Sequence, residues 1–220
     1  MGELDELIRT ERLALVEFLT TLEPGEWATP SLCGEWTVQE VAAHLAWAPV
    51  LPLAETAGAL VRSGFRMNKA SAELAKRWAL RGTDPIIEQL RSNADRNPKP
   101  PGVPAPAALV DAVVHQIDIR HPLGKPRAIP VAAFRDVADF SLSLRWPLNL
   151  SVGGSARKRV AGVRLVAIGY DWSHGDGPEA HLAAEGALRL LNGRPVDPDE
   201  LNGPGAEVLA GRLDRGRSHP

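Results

Sequence analysis

Apolar residues recur through the first 145 positions at intervals of three and four, the spacing that gathers them on one face of a helix. Leu4, Leu7, Ile8, Leu15, Leu19 and Leu22 predict a helix over 3–22, closed by Glu23-Pro24-Gly25. Thr37 followed three residues on by Glu40 is a capping-box pattern, and it opens a helix with Val41, His44, Leu45 and Ala48 on one stripe. Pro49 and Pro52 interrupt that helix and leave its far end, near residue 62, open. A short helical stretch spans 70–80 and stops at Gly82. Asp84-Pro85 then reads as an N-cap acid and a proline at the first helical position, ahead of Ile86, Ile87, Leu90 and Ala94. The proline-rich segment 97–106 cannot be helical and predicts a crossing loop. Beyond it, no Gly or Pro falls between Leu109 and His121, and a further helix over about 130–145 carries Val131, Phe134, Val137, Ala138 and Leu142. Four or five helices on short connections describe a bundle.

The pattern changes after Trp146. The stretch 162–170, GVRLVAIGY, is apolar, β-branched and bounded by glycines, and predicts a buried strand. Residues 173–178 form a turn cluster, 183–192 return to helical spacing, and 205–213 suggest a last short helix. The expected fold is therefore α+β, with a helical bundle over 1–147, a small α/β domain over 148–214 and a frayed tail over 215–220.

Composition narrows the function classes. The 25 basic and 27 acidic residues nearly cancel, which removes the electrostatic case for nucleic acid or a membrane surface. No apolar run approaches the ~18–20 residues of a membrane span. The start, MGELDELIRTERL, is charged and amphipathic rather than signal-like, and the single cysteine, Cys33, excludes a disulfide within one chain. A soluble cytoplasmic protein is expected, as a monomer or homodimer.

Candidate chemistry centres on Asp111 and His115, one helical turn apart on one face, where a carboxylate and an imidazole can share one ion. His44 supplies a third donor. Two imidazoles and a carboxylate suit zinc, nickel or ferrous iron and leave coordination positions open. The plainer reading stands beside it: a histidine on an apolar stripe as a hydrogen-bonded core residue, and D-x-x-x-H as chance spacing. Asp118 can orient His115 from behind, or else cap the helix or pair with Arg120. Cys33 has no evident cation nearby and reads as packing, in a loop, 26–36, whose two tryptophans predict tight packing. His121 at a helix end and His174 in a glycine turn read as surface residues. Arg194, just past a helix C-terminus, can bind an anionic group or simply complement the helix dipole.

Three motifs in order, TPSLCGEWTVQEVAAHL (29–45), DAVVHQIDIRHPLG (111–124), and YDWSHGDGP with LLNGRPVDPDELNGPG (170–178 and 190–205), resemble the mycothiol-dependent maleylpyruvate isomerase family of the DinB-like metal-binding superfamily. The resemblance implies an N-terminal DinB-like four-helix bundle of up-down-down-up type, holding a divalent metal (zinc foremost), and a small C-terminal α/β domain. The family's metal ligands fall on His44, Asp111 and His115. Asp111 stands where the family usually has Glu, and the missing methylene shortens the reach by about 1.5 Å, against a tolerance of about 0.2 Å in metal–ligand bonds. A catalytic arginine of the C-terminal domain matches Arg194. The implied activity is a metal-dependent, mycothiol-using isomerase or thiol S-transferase acting on a small electrophile such as maleylpyruvate. Its partners would be that substrate and mycothiol, with no nucleic acid and no membrane. The alternative is a non-catalytic DinB-like protein that binds a metal or small ligand.

Overall fold

The computed structural model describes residues 2–34, 36–99 and 103–217. The chain divides into two compact units, residues 1–127 and 128–220.

In the first unit, α1 (Glu3–Leu19) begins with Glu3, Asp5 and Glu6 at the positive end of the helix dipole. It stops before residue 22 because the hydroxyls of Thr20 and Thr21 bond back to the carbonyls of Glu17 and Phe18, competing with helical continuation. A single turn, α2 (Pro24–Trp27), leads into the loop before α3 (Val38–Trp47). The capping box that opens α3 is complete. Thr37 Oγ1 accepts from Glu40 N (3.3 Å), and Glu40 Oε2 accepts from Thr37 N (2.8 Å).

Pro49 ends α3, and a 3-10 turn over Ala48–Val50 separates it from α4 (Leu53–Arg62). Then come α5 (Met67–Ala79), α6 (Thr83–Arg96) and α7 (Ala105–Arg120). The N-cap of α6 is Gly82, at φ +93°, and Asp84 lies inside the first turn instead of capping it. Helix α1 packs on α6 and α7, and α3 packs on the same two, so these four helices close into a ring. Helix α5 packs on α3, and α4 on α5.

Leu15, Leu19, Val41, Ile86, Leu90 and Ile119 are buried in the bundle, each contributing on the order of 1.5–3 kcal/mol. From Ala108 to Ile119 every residue of α7 is buried except Asp111. Such a helix has no polar face of its own, so the polar side chains it carries into the interior must find partners there.

The second unit opens with α8 (Val131–Ser143), at the expected position but packed on α9 (Ala156–Arg159) and α10 (Ala184–Leu191). Phe134 of α8 rests against Tyr170 and Trp172, with ring centroids 4.7 and 5.5 Å away. The division therefore falls at 127/128, ahead of α8, and not at 147/148. Strands β1 (Arg164–Ile168), β2 (Ser173–His174) and β3 (Glu179–Ala183) form a sheet in the order β2-β1-β3. The β1/β2 pair is antiparallel, with Leu165 opposite His174, and β1/β3 is parallel, with Leu165 opposite Ala180.

Strand β1 was expected to be buried throughout. It alternates instead, with Leu165 and Ala167 inside and Arg164 and Ile168 exposed, so only one face is covered. The turn cluster needs its glycines: a Cβ on Gly175 would lie 2.5 Å from the Val163 carbonyl oxygen, and one on Gly177 2.6 Å from that of Gly162. Helix α11 (Ala206–Arg217) continues past residue 214, where fraying was expected, and 218–220 lie outside the described residues. Among the described residues no helix is long and apolar enough to cross a membrane.

Candidate metal centre

The capping box sets the start of α3 and so places His44 on its second turn, facing α7, where Asp111 and His115 sit one turn apart. Asp111 Oδ1 lies 3.5 Å from His44 Nε2 and 3.4 Å from His115 Nε2. Each of the three residues offers a donor atom within 4.8 Å of the other two. Two donors bonded to one ion at about 2.0–2.2 Å, at a tetrahedral angle, stand about 3.3–3.6 Å apart. The observed spacing fits a shared ion, and the two imidazole rings stand 5.1 Å apart between centroids. Asp111 is 36 % exposed, against 16 % and 11 % for the two imidazoles, so the cluster opens toward solvent on the carboxylate side.

The imidazoles are held from behind. The fully buried Asp118 accepts from His115 Nδ1 at 2.8 Å through Oδ2, which turns Nε2 toward Asp111. Ser71 Oγ, on α5, stands 3.4 Å from His44 Nδ1. Trp36 flanks both rings, its centroid 5.3 Å from His44 and 6.3 Å from His115, stacked on the latter. Cys33 joins His115 and Asp118 in a second group whose donor atoms also fall within 4.8 Å. The loop bearing Cys33 and Trp36 is pinned to α7, since Leu32 N donates to the Asp118 carbonyl (3.1 Å), and it is closed on itself by Ser31 N to the Trp36 carbonyl (2.8 Å).

Charge and burial act against each other here. Partial desolvation pushes the Asp111 carboxyl up, but hydrogen bonds from His115 and His44, and their charge, prevail and hold it well below the usual carboxylate range. Burial pushes His115 down, yet its bonds to Asp111, Asp118 and Cys33 raise it well above the ordinary histidine value.

Of the residues singled out from the sequence, His44, Asp111 and His115 come together, and Asp118 meets His115 Nδ1 from behind. Cys33 is more than packing, being a neighbour of His115. Trp36 and Ser71 were missed. Trp36 was marked only as part of a tightly packed loop, and nothing local marks Ser71, which reaches His44 only through the packing of α5 on α3. His121 is the C-cap of α7, and His174 lies in β2, half-buried and stacked on Trp172 at 6.4 Å, rather than in an open turn. Arg194 belongs to the C-terminal unit. It follows Gly193, which takes φ +71° at the end of α10, and its Nη1 donates to the Asn192 carbonyl at 2.8 Å. Arg159 lies beside it, its pKa lowered by burial and by the Arg194 charge.

A ring of four helices that gathers two imidazoles and a carboxylate at one point defines a bundle protein with a candidate metal centre. Residues 8–120 match the family model of the mycothiol maleylpyruvate isomerase N-terminal domain, and the chain belongs to that family. Its fold is similar to the crystal structure of a histidine-to-alanine mutant of mycothiol-dependent maleylpyruvate isomerase, with a TM-score of 0.57 over 93 % of this chain and 92 % of that one, at 15 % sequence identity. That likeness makes the fold DinB-like. No curated protein matches the chain.

Proposed function

We propose that the protein is a metal-dependent, mycothiol-using isomerase or thiol S-transferase, active in the cytoplasm on a small electrophile of the maleylpyruvate type. His44, Asp111 and His115 are the ligands of a divalent ion, zinc foremost, and Arg194 is the catalytic arginine. The observation that carries the reading is the approach of both Nε2 atoms to Asp111 Oδ1 at 3.4–3.5 Å, with Asp118 aligning His115 from behind. Family membership supports mycothiol as the thiol. When bound, the ion supplies Lewis acidity that favours a thiolate over a thiol, and the thiolate is the stronger nucleophile.

The chain's own residues do the rest. His44 and His115 anchor the site from the buried side, Trp36 flanks their rings, and the more exposed Asp111 side leaves room for thiol and substrate. The Arg194 guanidinium suits a carboxylate of the substrate or cosubstrate, which it can grip with two parallel hydrogen bonds.

Untreated protein should carry about one divalent ion per chain, as one three-residue donor set implies. His44→Ala and His115→Ala should lose it together with mycothiol-dependent turnover. Arg194→Ala should lose turnover and keep the ion. Full metal content in both histidine variants would refute the ligand assignment.

A second reading, a binding protein that has lost catalysis, draws on the aspartate at position 111. Asp111→Glu separates the two. A large gain in metal affinity favours a decayed site, and no change or a loss favours a working one built around the shorter side chain.

A further inference from the structure

Beside Asp111 the bundle contains a small cavity of about 10 Å3 at the place where its four helices meet. Glu11 and Arg12 of α1, Leu45 of α3, Leu90 of α6 and Asp111 of α7 border it. A space of that size accommodates one water molecule and nothing larger. Its polar walls are unevenly satisfied. Glu11 is 1 % exposed. Its Oε2 accepts from Gln116 Nε2 (2.9 Å) and from Arg127, while its Oε1 has no hydrogen-bond partner among the described residues. A buried carboxylate oxygen requires a donor. Arg12 is engaged elsewhere: its Nη1 donates to the Asn93 carbonyl (3.0 Å) and Asn97 Oδ1 (2.8 Å), and its Nη2 to the Pro98 carbonyl (3.0 Å). The other polar group at the cavity, Asp111, meets both imidazoles through Oδ1.

Two carboxylates facing one small space need a bridge with two donors. An anion has none, and a bare cation would share the cavity with the Arg12 guanidinium. We infer that the cavity is a binding site for a single ordered water, which donates one hydrogen to Glu11 Oε1 and the other to Asp111, and that Glu11 is thereby a positioning residue for Asp111. This rests on the reading of Asp111 as a metal ligand. The link Glu11–water–Asp111 holds the short carboxylate in the orientation that presents Oδ1 to His44 and His115, while Arg127 and Gln116 only occupy the other oxygen of Glu11. Glu11 touches neither metal nor substrate and acts only through Asp111.

Two measurements test the inference on the full chain. The first is a crystal structure of the metal-free protein at a resolution that shows ordered water, which should find one within hydrogen-bond distance of both Glu11 Oε1 and Asp111. The second is a Co2+ titration followed by visible absorption, on wild type, Glu11→Gln and Arg127→Gln. In Glu11→Gln the amide oxygen can still accept from Gln116 and Arg127, but the NH2 then faces the cavity and reverses the polarity that the water needs. Affinity for Co2+ should fall about tenfold or more, the usual cost of losing an outer partner of a metal ligand, and the absorption bands should shift. Arg127→Gln should leave both unchanged. A cavity without water overturns the inference, as does a Glu11→Gln protein with wild-type affinity and bands. Equal losses in both variants overturn it too, because the ion pair and not the cavity would then be responsible. Wild-type protein that takes up no Co2+ counts against the metal reading instead, and the crystallographic water then decides this inference alone.

Discussion

Asp118 is the residue through which the proposed centre is most sharply tested. A histidine that ligates through Nε2 carries its proton on Nδ1, and the Asp118 carboxylate accepts that proton at 2.8 Å in a fully buried position. Asp118→Asn keeps the shape and removes the charge. Metal affinity should fall by about 10- to 100-fold, read by competition with a chromophoric chelator, and unchanged affinity would show that His115 needs no such partner. The same contacts set a pH dependence. Burial lowers the pKa of His115, but Asp111, Asp118 and Cys33 outweigh it, so the native value stands well above 6.5. In the metal-free protein this pairing contributes stability that is fully present below the unfolded-state value and is lost as pH rises through the raised native one. A metal takes the neutral ring. Binding at neutral pH should therefore release a proton, and affinity should weaken as pH falls. Zinc added to weakly buffered protein should acidify the solution, and proton uptake would contradict the ligand assignment.

At the scale of elements, Pro49 decides how α3 ends and what that end requires. Proline offers no N–H to the Leu45 carbonyl. From α6, Asn93 fills the gap, its Nδ2 donating to the carbonyls of Ala46 (2.7 Å) and Leu45 (3.4 Å), while Gln89 Nε2 donates to its Oδ1 (2.8 Å). Asn93→Ala should cost about 1–3 kcal/mol in urea unfolding, because two buried carbonyls lose their donor, and a cost near zero would mean that water replaces the amide. The prolines at 49 and 52 announced the break in this helix. That a residue on another helix would repair it was invisible, since Asn93 carries no local mark of the role. Likewise the apolar periodicity of residues 3–22 spanned α1 but not its end, because Leu22 keeps the spacing of the stripe while the exposed Thr20 and Thr21 turn the chain through their hydroxyls.

At the scale of the whole molecule, the three proposed ligands all belong to residues 1–127, within the closed ring of α1, α3, α6 and α7. A chain ending at Arg127 should fold as a helical unit and bind as much metal as the full protein, as judged by circular dichroism and metal analysis. A chain ending at Pro147 retains α8 without α9 or α10 and should expose Phe134 and Val137, with aggregation as the result. If the shorter chain failed to fold and the longer one behaved well, the division at 127/128 would be wrong. Periodicity placed α8 at nearly its observed position yet assigned it to the bundle, because an amphipathic helix declares that it needs a partner and not which partner it takes.

Local spacing alone settled what depends on a single helix. It located α3 through Thr37 and Glu40, put Asp111 and His115 on one face of α7, and set Asp118 three residues beyond to reach back to the ring. Helical geometry makes those relations independent of the rest of the chain. Tertiary structure decided which faces meet: that α3 turns His44 to Asp111 within 3.5 Å, that Ser71 and Trp36 attend the imidazoles, and that Glu11 reaches the cavity beside Asp111. The physical reason is that burial drives apolar stripes together without specifying their neighbours. Only the mutual fit of side-chain ridges and grooves across the four helices selects one arrangement among many.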